Sequence, residues 1–223
     1  MSKEKLYQYE DFGFKPDQKT EIKMLKERLA EAEKENASLK SENKNLKLER
    51  ENEFLTGVKT RKHFTEKSEK IISIMTNPES AERREGEIIP NAISFAIADI
   101  DKFKVINDTK GHSEGDRILS EVGRVFKENI RDMDAVCRWG GEEFAIIFPN
   151  AKVTDAFKRV EELRKIIKKE TGVTISIGVA EYEKGLSFTE ALDRSDKALY
   201  LAKEEGRNRV KTYSDVLEKE KAE

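Results

Sequence analysis

The chain has 223 residues, enough for one well-cored domain and an extension, but with 39% charged against 36% hydrophobic residues it is too polar to be one compact globule throughout. Acids and bases nearly cancel to a net charge of -2, so no overall field favours nucleic acid or an anionic membrane, and any binding must come from local clusters. One cysteine, Cys137, and two histidines exclude a disulfide framework and a structural zinc site, and the lack of a long apolar run or secretory leader sets the expectation of a cytoplasmic protein without membrane insertion.

Residues 1–17 are polar with scattered aromatics and read as a flexible or docking arm. From Asp17 to Phe54 there is no proline or glycine and strong helix formers dominate, which predicts a dimerisation helix over 18–54. Heptads place Ile22, Leu29, Asn36 and Asn43 at a, and Leu25, Ala32, Leu39 and Leu46 at d. The flanking pairs Glu21 with Lys26, Arg28 with Glu33, Glu35 with Lys40, and Glu42 with Lys47 are opposite in sign, which favours a parallel coiled-coil dimer. Asn36 and Asn43 weaken the seam but select register and oligomeric state. The other reading is a single charged helix held by intrahelical Glu-Lys pairs.

Beyond Gly57 helices and strands alternate. A helix is expected from Thr60 to Thr76, then a charged loop from Asn77 to Pro90, a doubly buried strand over Ala92–Ala98, a short helical turn over Lys102–Asp108 and a helix over Glu114–Ile130. A hairpin turning at Gly140-Gly141 follows, then a helix over Asp155–Glu170, a buried strand over Val173–Ala180 and a helix over Ser187–Glu205. This order predicts an α+β domain over 55–213 with an antiparallel-containing sheet and packed helices, and 214–223 as a charged tail.

Asp99 ends the first strand, and Glu142 and Glu143 flank the hairpin turn, so three carboxylates stand where hard divalent cations find oxygen ligands. Water-solvated acids at strand ends are the plainer reading. Asn107 and Asp116 flank a glycine-containing loop; an aspartate accepts from the N1–H and amino edge of guanine, and an amide reads a neighbouring acceptor. Two structural roles compete: Asn107 as the end of the short helix, and Ser113-x-x-Asp116 as a capping box. His112 has no nucleophile at readable spacing and suits a polar contact. Lys203 and Arg207 share a face for a triphosphate if the last helix continues that far; otherwise they are ordinary cations of a last turn. No P-loop pattern occurs.

Phe54-Leu55-Thr56-Gly57, Asp99-Ile100-Asp101-Lys102-Phe103-Lys104, Asn107-Asp108, Gly111-His112, Gly115-Asp116, Arg138-Trp139-Gly140-Gly141-Glu142-Glu143-Phe144, Ser176-Ile177-Gly178-Val179-Ala180 and Ala198-Leu199-Tyr200-x-Ala202-Lys203-x-x-Gly206-Arg207-Asn208 together resemble the GGDEF domain of diguanylate cyclases. The resemblance implies a fold related to class III nucleotide cyclases and the polymerase palm, and condensation of two GTP into cyclic di-GMP and two pyrophosphates across a homodimer. It implies two Mg2+ or Mn2+ ions per site on Asp99, the Ile100 carbonyl, Glu142 and Glu143, with Glu142 also the base for the ribose 3′-hydroxyl. Asn107, His112 and Asp116 match nucleotide contacts, and Lys203 and Arg207 match phosphate ligands. Arg131-x-x-Asp134 with Arg138 matches an inhibitory site for the product, while the further arginine expected on the following helix is replaced by Glu161-Glu162 before Arg164. Glu53 and Thr60 stand where the family usually has Asp and Asn, which puts the coupling of helix to domain in question. The competing class is a non-catalytic GGDEF-like module that binds GTP or cyclic di-GMP and signals through its stalk.

Overall fold

The computed structural model describes residues 18–79 and 89–222, with the side chains of residues 18–22 and 41–51 outside that description. The arm of residues 1–17 and the middle of the expected charged loop therefore lie outside the described residues. Two units form, Met1–Leu48 and Glu49–Glu223. The described residues of the first belong to helix α1 (Gln18–Glu51), uninterrupted as the absence of proline and glycine predicts. Of its seam residues, Leu25, Leu29 and Leu39 are half or more exposed, so the apolar stripe has no partner among the described residues. Ile22, Asn43 and Leu46 fall outside the described side chains.

The second unit contains α2 (Arg61–Thr76), β1 (Ile93–Ile100), α3 (Phe103–Lys110), α4 (His112–Asn129), β2 (Ala135–Gly140), β3 (Glu143–Pro149), α5 (Val153–Thr171), β4 (Ile175–Glu181), α6 (Phe188–Glu204), β5 (Val210–Thr212) and α7 (Tyr213–Ala222). The sheet order is β2-β3-β1-β4-β5, antiparallel except for the parallel β4–β5 pair. This is the expected α+β architecture. Most of the expected charged tail of 214–223 is helical, within Tyr213–Ala222, and β5 is a three-residue strand too short to show a period.

Alternation along the strands sorts the core into two layers. Ala96, Ala98 and Ile100 of β1 and Phe144, Ile146 and Phe148 of β3 meet Phe103, Val122, Phe126, Val160 and Leu163 from α3, α4 and α5. Phe95 and Ile97 of β1 and Ala145 and Ile147 of β3 meet Phe64 of α2 and Phe188, Leu192 and Leu199 of α6. Every residue of β1 is buried, as its unbroken apolar run predicts. Helix α6 lies so close to β4 that a Cβ on Gly178 would fall 2.0 Å from the Ser195 carbonyl oxygen and 2.1 Å from the Leu199 nitrogen. Only glycine permits that approach.

Among the described residues no helix is long and apolar enough to cross a membrane.

Candidate active site

The site forms at the end of β1, and strand register places its acids. Asp99 lies directly opposite Glu143 across the antiparallel β1–β3 pair, so both side chains emerge on the face that carries Ile97, Ala145 and α6. The hairpin differs from expectation by one residue. A bulge between Arg138 and Gly140 pairs Gly140 with Glu143, and the two-residue turn is Gly141-Glu142 rather than Gly140-Gly141. Gly141 takes φ 48°, which suits a tight hairpin turn. Glu142 thus sits in the turn itself and Glu143 is the first residue of the strand.

Helix α6 supplies the counter-charge. Lys203, one turn beyond the buried Leu199, places Nζ 2.8 Å from Asp99 Oδ2. Burial raises the Asp99 pKa, opposed by Lys203 and reinforced by Glu142 and Asp101. Glu143 is raised as well, by burial and by the Asp99, Asp196 and Glu142 carboxylates against the pull of Lys203. It borders an open cleft of about 530 Å³ with Asp196, Trp139 and Arg61.

Among the described residues no group of three acidic, histidine or cysteine side chains is already drawn together for a metal ion. The donor chemistry nevertheless fits one. Asp99 and Glu143 are register neighbours whose negative charges are in excess, and magnesium needs only one or two protein carboxylates, completing its shell with water and substrate phosphate.

On the opposite layer, neither structural rival for Asn107 and Asp116 is realised. Helix α3 runs past Asn107 to Lys110, and α4 begins at His112 behind Gly111 with no side-chain cap, so no Ser113–Asp116 capping box forms. Asn107 Oδ1 is buried without a hydrogen-bond partner, an arrangement that ordinarily costs about 1–3 kcal/mol unless a ligand supplies a donor. A Cβ on Gly115 would lie 1.9 Å from that oxygen, so Gly115 is what lets Asn107 lie against α4. Asp116 and His112 are exposed nearby on the first turns of α4. Cys137 is buried, its thiol pushed up to about 12, and is no nucleophile.

On the phosphate side the last helix stops before Gly206, as expected. Helix α6 ends at Glu204, so Arg207 does not share a helical face with Lys203. Gly206 N–H donates to Lys203 O and Arg207 N–H to Ala202 O, the paired bonds of a Schellman ending. Positive φ then persists through Gly206 (112°), Arg207 (64°) and Asn208 (48°). Left-handed backbone at a non-glycine residue costs about 1–3 kcal/mol and persists only where surroundings enforce it.

A residue absent from the sequence-based site provides that enforcement. Asp101, 7% exposed, accepts from Thr174 Oγ1 (2.6 Å), Ser176 Oγ (2.6 Å) and the Asn208 backbone N–H (3.0 Å). Its only sequence signal is the two-residue spacing from Asp99, because its partners are distant in the chain.

The expected product site is partly committed internally. Asp134 has a fully buried side chain that pairs with Arg159 and accepts from the Arg131 backbone N–H at 2.8 Å, while the Arg131 side chain is exposed. Arg159, on α5, was not among the expected residues. Arg138 donates Nε to the Gly141 carbonyl (2.8 Å) and Nη1 to Glu53 (3.3 Å), bracing the hairpin turn against the domain entrance. Glu53 also accepts from Thr56 N–H and Oγ1, and Thr60 caps α2 through His63 N–H, so both departures at the entrance are chemically competent.

A family model described as diguanylate cyclase, GGDEF domain, matches residues 53–209. Diguanylate cyclase A of Treponema denticola is 40% identical over 136 residues, covering 57% of this chain and 37% of that protein. Diguanylate cyclase DosC of Escherichia coli K12 is 37% identical over 134 residues, covering 56% of this chain and 29% of that protein. The chain thus spans about a third of the length of these curated relatives. A crystal structure of the coiled coil and GGDEF domain of DgcB from Caulobacter crescentus, in complex with c-di-GMP, aligns with a TM-score of 0.71 at 28% identity, covering 84% of this chain and 98% of that one. Helix α1 corresponds in kind to the coiled coil of that structure.

Proposed function

We propose that this chain, which belongs to the GGDEF-domain family of diguanylate cyclases, condenses two GTP into cyclic di-GMP and two pyrophosphates across a two-fold homodimer. The observation that carries the reading is the Asp99–Glu143 register pair with Lys203 drawn onto Asp99: two acids held at one buried strand end beside a cation that suits a triphosphate. Asn107 Oδ1 adds an unsatisfied acceptor on the adjoining layer, as a guanine contact would require.

In each half-reaction the 3′-oxygen of one GTP bonds to the α-phosphorus of the other. The α–β phosphoanhydride bond breaks, pyrophosphate leaves with the electron pair, and the hydroxyl proton passes to Glu142. Glu142 suits this role because the turn, unlike the strand, lets its carboxylate approach the partner's nucleotide. Asp99, the Ile100 carbonyl, Glu142 and Glu143 would hold two Mg2+ or Mn2+ ions, which when bound lower the pKa of the hydroxyl and offset charge on the α-phosphate. Asp116 and Asn107 read the guanine edge, His112 contacts the nucleotide, and Lys203 and Arg207 hold the phosphates. Each site holds one GTP, so turnover needs a second copy, supplied by the parallel pairing of α1. Cyclic di-GMP feeds back at Arg131, Asp134 and Arg138. The non-catalytic alternative gains no support from the site, where acids and cations are all retained.

Incubating the purified chain with GTP and magnesium and identifying products by mass tests the reading. Cyclic di-GMP is expected from the unmodified chain and none from Glu142→Gln. Its absence from the unmodified chain under dimer-forming conditions would refute the proposal.

A further inference from the structure

We infer that Asp101, acting with Arg164 through Asn208, is a positioning device that aims Arg207 at the nucleotide's phosphate chain and so sets preference for a triphosphate over shorter chains. The inference rests on the nucleotide-binding reading above. Every element of the device lies outside the residues expected to touch substrate, except Arg207 itself.

The geometry is a clamp closed from two sides. On one side, the buried Asp101 carboxylate spends its acceptors on Thr174, Ser176 and the Asn208 N–H, so it is occupied as a structural acceptor rather than left free beside Asp99. On the other, Asn208 Oδ1 accepts from Arg164 Nη1 at 2.5 Å. Arg164 is fixed in turn by a two-point pair with Glu161 on its own helix, Nε at 2.7 Å and Nη2 at 2.6 Å. Asn208 is therefore held by its backbone to Asp101, just past the end of β1, and by its side chain to α5.

The neighbouring peptide groups are fixed too. Arg207 N–H is bonded to Ala202 O, and Ile177 N–H donates to Arg209 O. Between these anchors Arg207 adopts φ 64°, a conformation an arginine does not choose unaided. Its side chain is exposed, and among the described residues it makes no internal ion pair or hydrogen bond. A cation left free while its backbone is constrained at both ends is suited to an external anion. The bidentate arginine fork gains most when its origin is fixed.

The test measures binding by calorimetry, using the full chain with magnesium and two unreactive probes, 3′-deoxyGTP and GMP. Asn208→Ala is expected to weaken 3′-deoxyGTP about 10-fold while leaving GMP nearly unchanged. Asn208→Gly tolerates the left-handed backbone and is expected to recover part of that loss. In an Arg207→Ala background Asn208→Ala is expected to add nothing, because its effect runs through Arg207. Arg164→Gln loosens the clamp from α5 and serves if Asn208→Ala does not fold; it is expected to show the same selective loss. Equal weakening of both probes, or an undiminished effect of Asn208→Ala without Arg207, would overturn the inference. Since the readout is binding, an unmodified chain that binds 3′-deoxyGTP yet makes no cyclic di-GMP would sink the proposed activity and leave this inference standing.

Discussion

At Glu143 the folded environment works against the charge the site needs. Burial and neighbouring carboxylates hold its pKa above the ordinary 4.5, so the folded chain binds this proton more readily than the unfolded chain. Stability therefore falls as pH rises from the unfolded value through the folded one, and the penalty is complete above the folded pKa. In metal-free buffer at neutral pH, Glu143→Gln is expected to raise Tm by about 2 °C, a gain that vanishes as pH falls toward 4.5, while abolishing activity. A lowered Tm at neutral pH would contradict this balance of forces. Gly115 makes a second residue-scale case. Gly115→Ala would displace Asn107, and the expected result is a KM for GTP raised about 10-fold with little change in kcat. Equal losses in both parameters would point to general disruption. Residue types and spacing named the acids and Asn107 as candidates while leaving solvated acids and a helix-end role open; Asp101 was not singled out, because Thr174, Ser176 and Asn208 reach it only through the sheet.

At the scale of elements, helices and strands followed from apolar periodicity, and the departures occur where periodicity is silent. The bulge that moves the turn to Gly141-Glu142 is a matter of strand pairing, invisible in a stretch that offers two adjacent glycines. Helix α6 ends where the sequence expected, before Gly206: the Schellman bonds at Gly206 stop it short of Arg207. The Arg131–Asp134 turn gives the element-scale prediction. Asp134→Ala leaves Arg159 without its buried partner and is expected to cost about 3 kcal/mol, or roughly 6–12 °C in Tm. Arg131→Ala removes an exposed side chain, so it should leave Tm nearly unchanged while relieving inhibition by cyclic di-GMP. Thermal melts with product titrations of both variants check this. Inhibition unaltered in Arg131→Ala would exclude that arginine from product binding.

At the scale of the whole molecule, α1 displays leucines that none of the described residues covers. Burying such a side chain is worth about 1.5–3 kcal/mol, so Leu25→Asp with Leu39→Asp should shift the chain to monomer in sedimentation and lower activity per domain most strongly at dilute concentration. Activity that stays constant on dilution of this variant would remove the stalk from the mechanism. The heptads were readable because a seven-residue period needs only sequence. Pairing direction was argued from charge alone, and it is testable by disulfide trapping of a cysteine placed at one a position.

The Asp99–Lys203 contact joins the first strand of the second unit to the end of its last long helix, with the hairpin acids supplied from between. During synthesis the acid-bearing strand and hairpin leave the ribosome well before Lys203, Arg207 and Asn208 do. A nascent chain can thus shelter acids and form much of its sheet, yet it lacks the cations that complete the pocket until almost the whole domain has emerged. Under the proposed function, unfinished or truncated chains would make no messenger, by topology alone and without any separate inhibitor.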